Sequence, residues 1–242
     1  MPKFCICGGG NIGHSLVAAF GRYGDVCVLT RRPEEWSEHL RFQIADGVCE
    51  ETKGHVIASS DASIISEATV IVVALPRFAI KQELDKIDPF LHSGQTLVFV
   101  PAPAGMEDIV NRMLFKGIEV VGFQRVPYVA RIKEYGKFVW MGDVRPVCKL
   151  ALSNPERKEY WRNFFRNTIG SEVSYLSSFL SFTFSNSNPL LHPSRLVELL
   201  HNKDGYIECP YFYAEWGIRQ VNFMCQLTMK CGKFLKHIHM RR

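Results

Sequence analysis

Three glycines near the N-terminus have the spacing that lets a polypeptide hold a pyrophosphate. Within FCICGGGNIGHSLVAAF, Phe4 to Phe20, residues Gly8, Gly10 and Gly13 fit the pattern G-x-G-x-x-G. In such a loop the first glycine permits a tight turn and the second lets the backbone approach the phosphates. The third lets the following helix pack against the preceding strand. The phosphates lie against the unpaired N–H groups that open the helix, here at Asn11, Ile12 and Gly13, at the positive end of its dipole. A second feature bears on which dinucleotide. NAD sites carry an acidic residue about 20 positions past the glycines, bonded to the ribose 2′-hydroxyl. This chain has Thr30-Arg31-Arg32 in that region. A carboxylate would repel a 2′-phosphate, whereas the guanidiniums of Arg31 and Arg32 would grip it bidentately. The expected cofactor is NADP(H) in preference to NAD(H).

The same letters would also suit an ordinary glycine-rich turn and two solvated arginines, so the flanking elements decide. Phe4-Cys5-Ile6-Cys7 is a short apolar run without helical spacing, as in a buried strand. An amphipathic helix through Leu16, Val17 and Phe20 follows the glycines, and Asp25–Thr30 (DVCVLT) reads as a second strand. Strand before and helix after is the context that gives a G-x-G-x-x-G motif meaning. Residues 36–60 are less regular, with short strands expected at 41–45 and 55–58. Thr69–Leu75 (TVIVVAL) is apolar on both faces, as in a central parallel strand, and ends at Pro76. Thr96–Val100 repeats the pattern and stops at Pro101, and 119–123 is a further strand. Helices are expected over 78–91, 107–114 and 156–167, with later strands over 137–141 and 172–176. The alternation predicts a Rossmann-type, doubly wound, mostly parallel α/β sheet. Ligands of such sheets lie beyond the carboxyl ends of the strands. That rule puts the glycine loop, Arg31, Pro76 and Pro101 on one edge.

The domain boundary is expected near 178, after a sheet domain over 1–177, with a short all-helical second domain over 178–242. Ser178–Asn188 reads as a polar-aromatic connector. From Asn188, with Pro189 in the first turn, Leu190, Leu191, Leu196, Leu199 and Leu200 give a helix an apolar face. A turn at Asn202–Gly205 and a helix from Tyr211, anchored by Tyr213, Trp216 and Phe223, complete it.

With 47% hydrophobic and 22% charged residues among 242, the chain has the composition of a globular protein with a sizeable core. No apolar run approaches membrane-spanning length, and the first strand begins at once, so neither a membrane span nor a signal peptide is expected. The eight cysteines lack paired C-x-x-C zinc spacing, and no metal is expected. Their usage suits a reducing cytoplasm. The net charge of +5 comes without an aromatic-interleaved basic stripe, so no nucleic-acid partner is expected.

Several stretches together resemble the opine dehydrogenase family. CGGGNIGH (Cys7–His14) has that family's form of the phosphate loop. VIVVALPRFA (Val70–Ala79) and LVFVPAPAG (Leu97–Gly105) are similar to its later cofactor-edge strands. VPYVARIKEYGK (Val126–Lys137) is the most specific match, because a general dinucleotide fold gives no reason for it. NPLLH (Asn188–His192) matches the family's Asn-x-x-x-His motif. The resemblance runs from the first strand to about Trp216. It implies an NAD(P)H-dependent oxidoreductase that joins the amine of an amino acid to a 2-oxo acid such as pyruvate and reduces the resulting imine. In reverse, such an enzyme oxidatively cleaves an N-(carboxyalkyl)amino acid. His192 is implied as the general acid/base, a role suited to an imidazole titrating near neutral pH. Asn188, one helical turn earlier on the same face, would position substrate. Arg131 either pairs with Glu134 or Asp143 or binds a carboxylate of the product. His14 either faces the cofactor or lies on the helix surface, and Tyr128 is read as packing.

The family's second domain is normally longer, so the resemblance also implies a truncated C-terminal domain without the carboxylate that orients the histidine. A domain cut short in this way would expose apolar surface and favour homo-oligomers. Two other readings stand beside the first. A reductase of 2-oxo or 3-hydroxy acids can use the same scaffold. A catalytically inactive NADP-binding module fits a shortened second domain.

Overall fold

The computed structural model describes residues 3–185, 188–201, 211–212 and 217–239. They fall into two compact units divided between Thr183 and Phe184, and each is taken by itself. The turn expected at Asn202–Gly205 and the anchors Tyr213 and Trp216 lie outside the described residues.

The first unit contains twelve strands among its described residues. In chain order they are β1 (Phe4–Cys7), β2 (Val26–Leu29), β3 (Arg41–Ile44), β4 (Cys49–Glu51), β5 (Val56–Ser59) and β6 (Val70–Val73). Then come β7 (Thr96–Phe99), β8 (Glu119–Phe123), β9 (Ala130–Glu134), β10 (Phe138–Met141), β11 (Val147–Leu152) and β12 (Glu172–Tyr175). Eight form one sheet in the order β12-β11-β8-β7-β6-β1-β2-β5. From β5 to β8 every pairing is parallel, and only β11 runs antiparallel to its neighbour β8. The strands at its centre, β1, β6 and β7, are buried at every position. Helices on both faces require this, and it explains their unbroken apolar runs. Burying each Val, Ile or Leu there contributes about 1.5–3 kcal/mol.

The helices of this unit are α1 (Asn11–Gly21), α2 (Arg77–Ile87), α3 (Glu107–Phe115) and α4 (Lys158–Ile169), and α5 (Leu180–Ser185) runs across its end at Thr183. Helix α4 is anchored by Trp161, which is fully buried and donates its indole N–H to Glu119 Oε1 at 2.8 Å. Tyr128 packs as expected: it is buried, and its hydroxyl donates to the Ile169 carbonyl at the end of α4. The segment expected to be a connector contains α5, and Phe179 just before it and Phe182 within it bury in the core.

A four-stranded sheet in the order β4-β3-β10-β9 is the main departure from expectation. It lies against α1, whose other side packs on β1 and β2. For that reason α1 is buried from Gly13 through Gly21 at every position rather than amphipathic. The two short strands expected between residues 36 and 60 both exist, but β3 joins this small sheet and β5 the large one.

The second unit contains α6 (Asn188–His201) and α7 (Ile218–His239). Arg195 on α6 is buried and donates from Nη1 to Gln220 Oε1 on α7 at 3.3 Å and from Nη2 to the Tyr211 carbonyl at 3.0 Å. No helix among the described residues is long and apolar enough to cross a membrane.

Candidate dinucleotide and catalytic site

The strand register fixes where a ligand can bind. Cys7 pairs with Leu29 on one side and Val73 on the other, Val73 with Phe99, and Phe99 with Gly122. The carboxyl ends of five parallel strands are therefore level. Just beyond them come the glycine loop, Thr30–Arg32, Ala74–Pro76 and Val100–Pro101, the edge expected from sequence. β1 stands between β2 and β6, where the strand order reverses, which is the crevice doubly wound sheets use.

The glycine loop is closed by packing everywhere but one point. Gly8 has φ +121°, and a β-carbon there would stand 2.7 Å from the Ala74 carbonyl oxygen. At Gly13 it would stand 1.8 Å from the Gly8 carbonyl oxygen, so that helix and strand touch through backbone alone. At Gly9 it would strike the Tyr135 hydroxyl at 2.2 Å. At Gly10 it would meet nothing within 4 Å. Gly10 is also the N-cap of α1, with no side-chain cap and no acidic residue in the first turn. The first intrahelical bond runs from the His14 N–H to the Gly10 carbonyl. Helical geometry thus leaves the N–H groups of Asn11, Ile12 and Gly13 directed at the open space over Gly10. A pyrophosphate fits this arrangement.

The hairpin of β9 and β10 that closes the loop follows it by 121 and 122 residues. The Ile132 N–H donates to Asn11 Oδ1 at 2.8 Å, and the Gly136 N–H donates to His14 Nε2 at 2.8 Å. Because Nε2 accepts, the His14 proton sits on Nδ1 and is donated to the Gly10 carbonyl at 3.1 Å. His14 thus faces neither cofactor nor solvent. It is fully buried, stacked on Trp36 and edge-on to Tyr135. Burial and the nearby Arg32 charge lower its pKa to about 4, so it is a neutral strut. Sequence reasoning missed Tyr135 and Trp36. The signal available was that Tyr135 and Gly136 lie in VPYVARIKEYGK, the stretch with no general explanation.

Arg31 and Arg32 part company. Arg32 lies over the Tyr135 ring at 3.6 Å and pairs with Glu35 at 3.1 Å, while Tyr135 shares a hydrogen bond with Thr30 Oγ1 at 3.0 Å. Arg31 is exposed at the same strand end, with no hydrogen bond or ion pair among the described residues. Pro76 is the N-cap of α2, and the adjacent Arg77 donates to the Ala104 carbonyl, tying the loops after β6 and β7 together.

Arg131 is exposed beside Ile132, the residue bonded to Asn11, and its Nη1 donates to the Ala130 carbonyl at 2.8 Å. Glu134 pairs instead with Lys137 and Arg41, so the structural alternative for Arg131 at Glu134 is not realised. Asn188 opens α6, and His192 lies four residues along it. The His192 ring is half-buried and edge-on to Phe212 at 5.4 Å. The first unit gathers the cofactor candidates and Arg131; the second holds Asn188 and His192.

The family described as NADP oxidoreductase coenzyme F420-dependent matches residues 3–103. The chain is 31% identical over 168 residues to an octopine dehydrogenase of Pecten maximus, covering 62% of this chain and 42% of that protein. It is 26% identical over 232 residues to a tauropine dehydrogenase of Arabella iricolor, covering 85% and 57% respectively. The chain thus spans about half the length of these relatives. A solved octopine dehydrogenase in complex with NADH and agmatine superposes with a TM-score of 0.84 at 24% identity, over 100% of this chain and 65% of that one.

Proposed function

Starting from a chain that is opine dehydrogenase-like in sequence and in fold, we propose that it reductively condenses an amino acid with a 2-oxo acid such as pyruvate, using NADP(H) ahead of NAD(H). One observation carries the reading. The Val126–Lys137 stretch, the most family-specific in the chain, is the one that locks the phosphate loop, through Asn11, Gly9 and His14.

The nicotinamide supplies the hydride that turns an imine carbon into an amine carbon. The protein's residues do the rest. Gly10 and the N–H groups of Asn11, Ile12 and Gly13 hold the pyrophosphate, and Pro76 and Pro101 border the cofactor at the neighbouring strand ends. Arg31 answers a 2′-phosphate with a charge-assisted hydrogen bond, and Arg32 completes a positive rim. Arg131 binds one carboxylate of the substrate pair. His192 exchanges the proton at the nitrogen as the C–N bond is reduced, and Asn188 orients the group it acts on. In the forward direction amine and carbonyl lose one water to give the imine. His192 would give its proton to the nitrogen as that C–N bond is reduced.

The test is NADPH and NADH oxidation followed with pyruvate, with a panel of amino acids, and with both, for this chain, a His192→Ala variant and a form extended at its C-terminus. Turnover that needs amine and oxo acid together, and is lost in His192→Ala, supports the proposal. Oxidation with the oxo acid alone identifies a simple 2-oxo acid reductase, and cofactor binding without turnover in every form identifies a binding module.

A further inference from the structure

The end of the main sheet opposite the dinucleotide edge carries a cluster that the proposed reaction does not use. Glu38, His39 and His55 each offer a donor atom, and the three donors lie within 4.8 Å of one another. We propose that they form a binding site for a first-row divalent metal ion of the zinc type, which ties the small sheet to the edge of the large one. The spacing Glu-His followed 16 residues later by a lone histidine matches none of the cysteine patterns that sequence reasoning looked for.

The donors are presented by backbone bonded in place. The Val56 N–H donates to the Glu38 carbonyl at 2.7 Å, so Glu38 and His55 are held beside each other. Thr52 is buried, accepts the Leu40 N–H on its hydroxyl at 3.1 Å, and donates its own N–H to the Leu40 carbonyl at 3.0 Å. That pair sets the backbone next to His39. The His55 N–H donates to Asp25 Oδ1 at 2.8 Å, fixing His55 at the start of β5.

The side chains are oriented as well. His39 Nδ1 lies 3.0 Å from the Thr52 carbonyl, an acceptor only, so Nδ1 carries the proton and Nε2 keeps its lone pair. This is how proteins orient a histidine ligand, through a hydrogen bond on the nitrogen away from the metal. His55 Nδ1 lies 2.9 Å from Glu38 Oε1, and the two imidazole rings are 4.9 Å apart between centroids. A tetrahedral ion with bonds of about 2.1 Å holds its donors about 3.4 Å apart, so donors spread over as much as 4.8 Å have to draw in, while His55 Nδ1 and Glu38 Oε1, at 2.9 Å, have to part slightly. Glu38 and His55 side chains are 74% and 55% exposed, which leaves them free to make that adjustment and leaves water for the remaining position. Two imidazoles with one carboxylate suit zinc, nickel or copper(II) and offer too few oxygens for calcium or magnesium.

The consequence is mechanical. Glu38 and His39 lead into β3 of the small sheet, and His55 leads into β5, the edge strand of the large one. An ion there staples the two sheets that enclose α1.

The test is calorimetric titration of zinc into the full chain, with magnesium as the control cation, for the wild type and for His39→Ala, His55→Gln, Glu38→Gln and Cys49→Ser. Cys49 is included because it is an exposed thiol on β4. The expected result is one zinc per chain, affinity reduced at least tenfold in each histidine variant and reduced in Glu38→Gln, and no change in Cys49→Ser. At a zinc concentration a hundredfold above Kd, the wild-type Tm should rise by roughly 5 °C or more, and the His55→Gln Tm should not. His55→Gln replaces an exposed side chain and its metal-free Tm reports whether it is folded, so the comparison holds even where His39→Ala is not. No zinc binding, binding unchanged in the histidine variants, or binding lost in Cys49→Ser would each overturn the site.

Discussion

The glycine loop and the start of α6 both carry residues whose letters suggested chemistry, yet they are held in opposite ways. Around the loop nearly every group is used twice. Gly8, Gly9 and Gly13 lack side chains because backbone or Tyr135 occupies the space, and Asn11 binds β9 while His14 binds the turn after it. On α6, His192 is half-buried against Phe212, on a helix with proline at 193, next to the catalytic candidate. A site fixed by packing declares its ligand through the one place left empty. A site on a helix face declares its chemistry only through the resemblance that picks out its residues. The two regions should therefore fail differently when altered.

Gly13→Val should give the largest effect. Its side chain would collide with the Gly8 carbonyl, where only backbone movement could relieve the overlap. A loss of about 3–4 kcal/mol is expected, a Tm fall of roughly 10 °C, with dinucleotide binding abolished. A variant as stable as the wild type would mean the loop is not packed as described. His192→Ala should do the reverse. Steady-state turnover should fall by about 10²–10³-fold, while the NADPH dissociation constant and Tm stay put. If NADPH affinity fell in step with turnover, the division between the regions would be lost.

His14 sharpens the comparison through pH. Its pKa is about 4 in the folded chain against 6.5 when exposed, so between those values the unfolded chain binds the extra proton. Stability should be fully present above about pH 6.5 and decline as pH falls toward 4, by up to about 3 kcal/mol from this group. Urea unfolding between pH 7 and 4.5 reads it, and His14→Gln should flatten the slope by close to one proton. An unchanged slope would show that His14 is not a buried neutral strut.

The smallest contrast is between the neighbouring arginines. Arg31→Ala should weaken NADPH by about tenfold, near the low end for a charge-assisted hydrogen bond, and leave NADH almost unaffected. Arg32→Ala removes the guanidinium over Tyr135 and should cost about 0.5–1 kcal/mol of stability. Equal effects of Arg31→Ala on both cofactors would remove the NADP preference.

What the sequence made legible follows the same division. The large sheet was readable because its central strands are buried on both faces and leave unbroken apolar runs, as at Val70–Val73. The small sheet was half readable: β3 and β10 fall where strands were expected, over 41–45 and 137–141, but β4 and β9 were not foreseen. Its β4 (CEE) is exposed throughout, and β9 (ARIKE) alternates only Ala130 and Ile132 with three charged residues, too short an apolar pattern to stand out. The sheet also depends on β3 pairing with β10, nearly a hundred residues later, which no local window contains. His14 was misjudged for that reason: the groups that bury it belong to Trp36 and the Tyr135-Gly136 turn. In the loop, the tight turn at Gly8 and the close packing at Gly13 were readable from spacing, while the need for Gly9 depends on a tyrosine hydroxyl only the fold brings near.

The most direct measurement is a fluorescence titration of NADPH into the wild type and Gly10→Asp, with Tm determined on both. Aspartate is a favoured N-cap residue, so at the start of α1 it should leave Tm unchanged or slightly raised. Its carboxylate would sit in the open space over Gly10 and repel phosphate. The expected result is a loss of NADPH affinity of at least a hundredfold without loss of stability. NADPH binding as tight in Gly10→Asp as in the wild type would contradict the assignment of the dinucleotide to this loop.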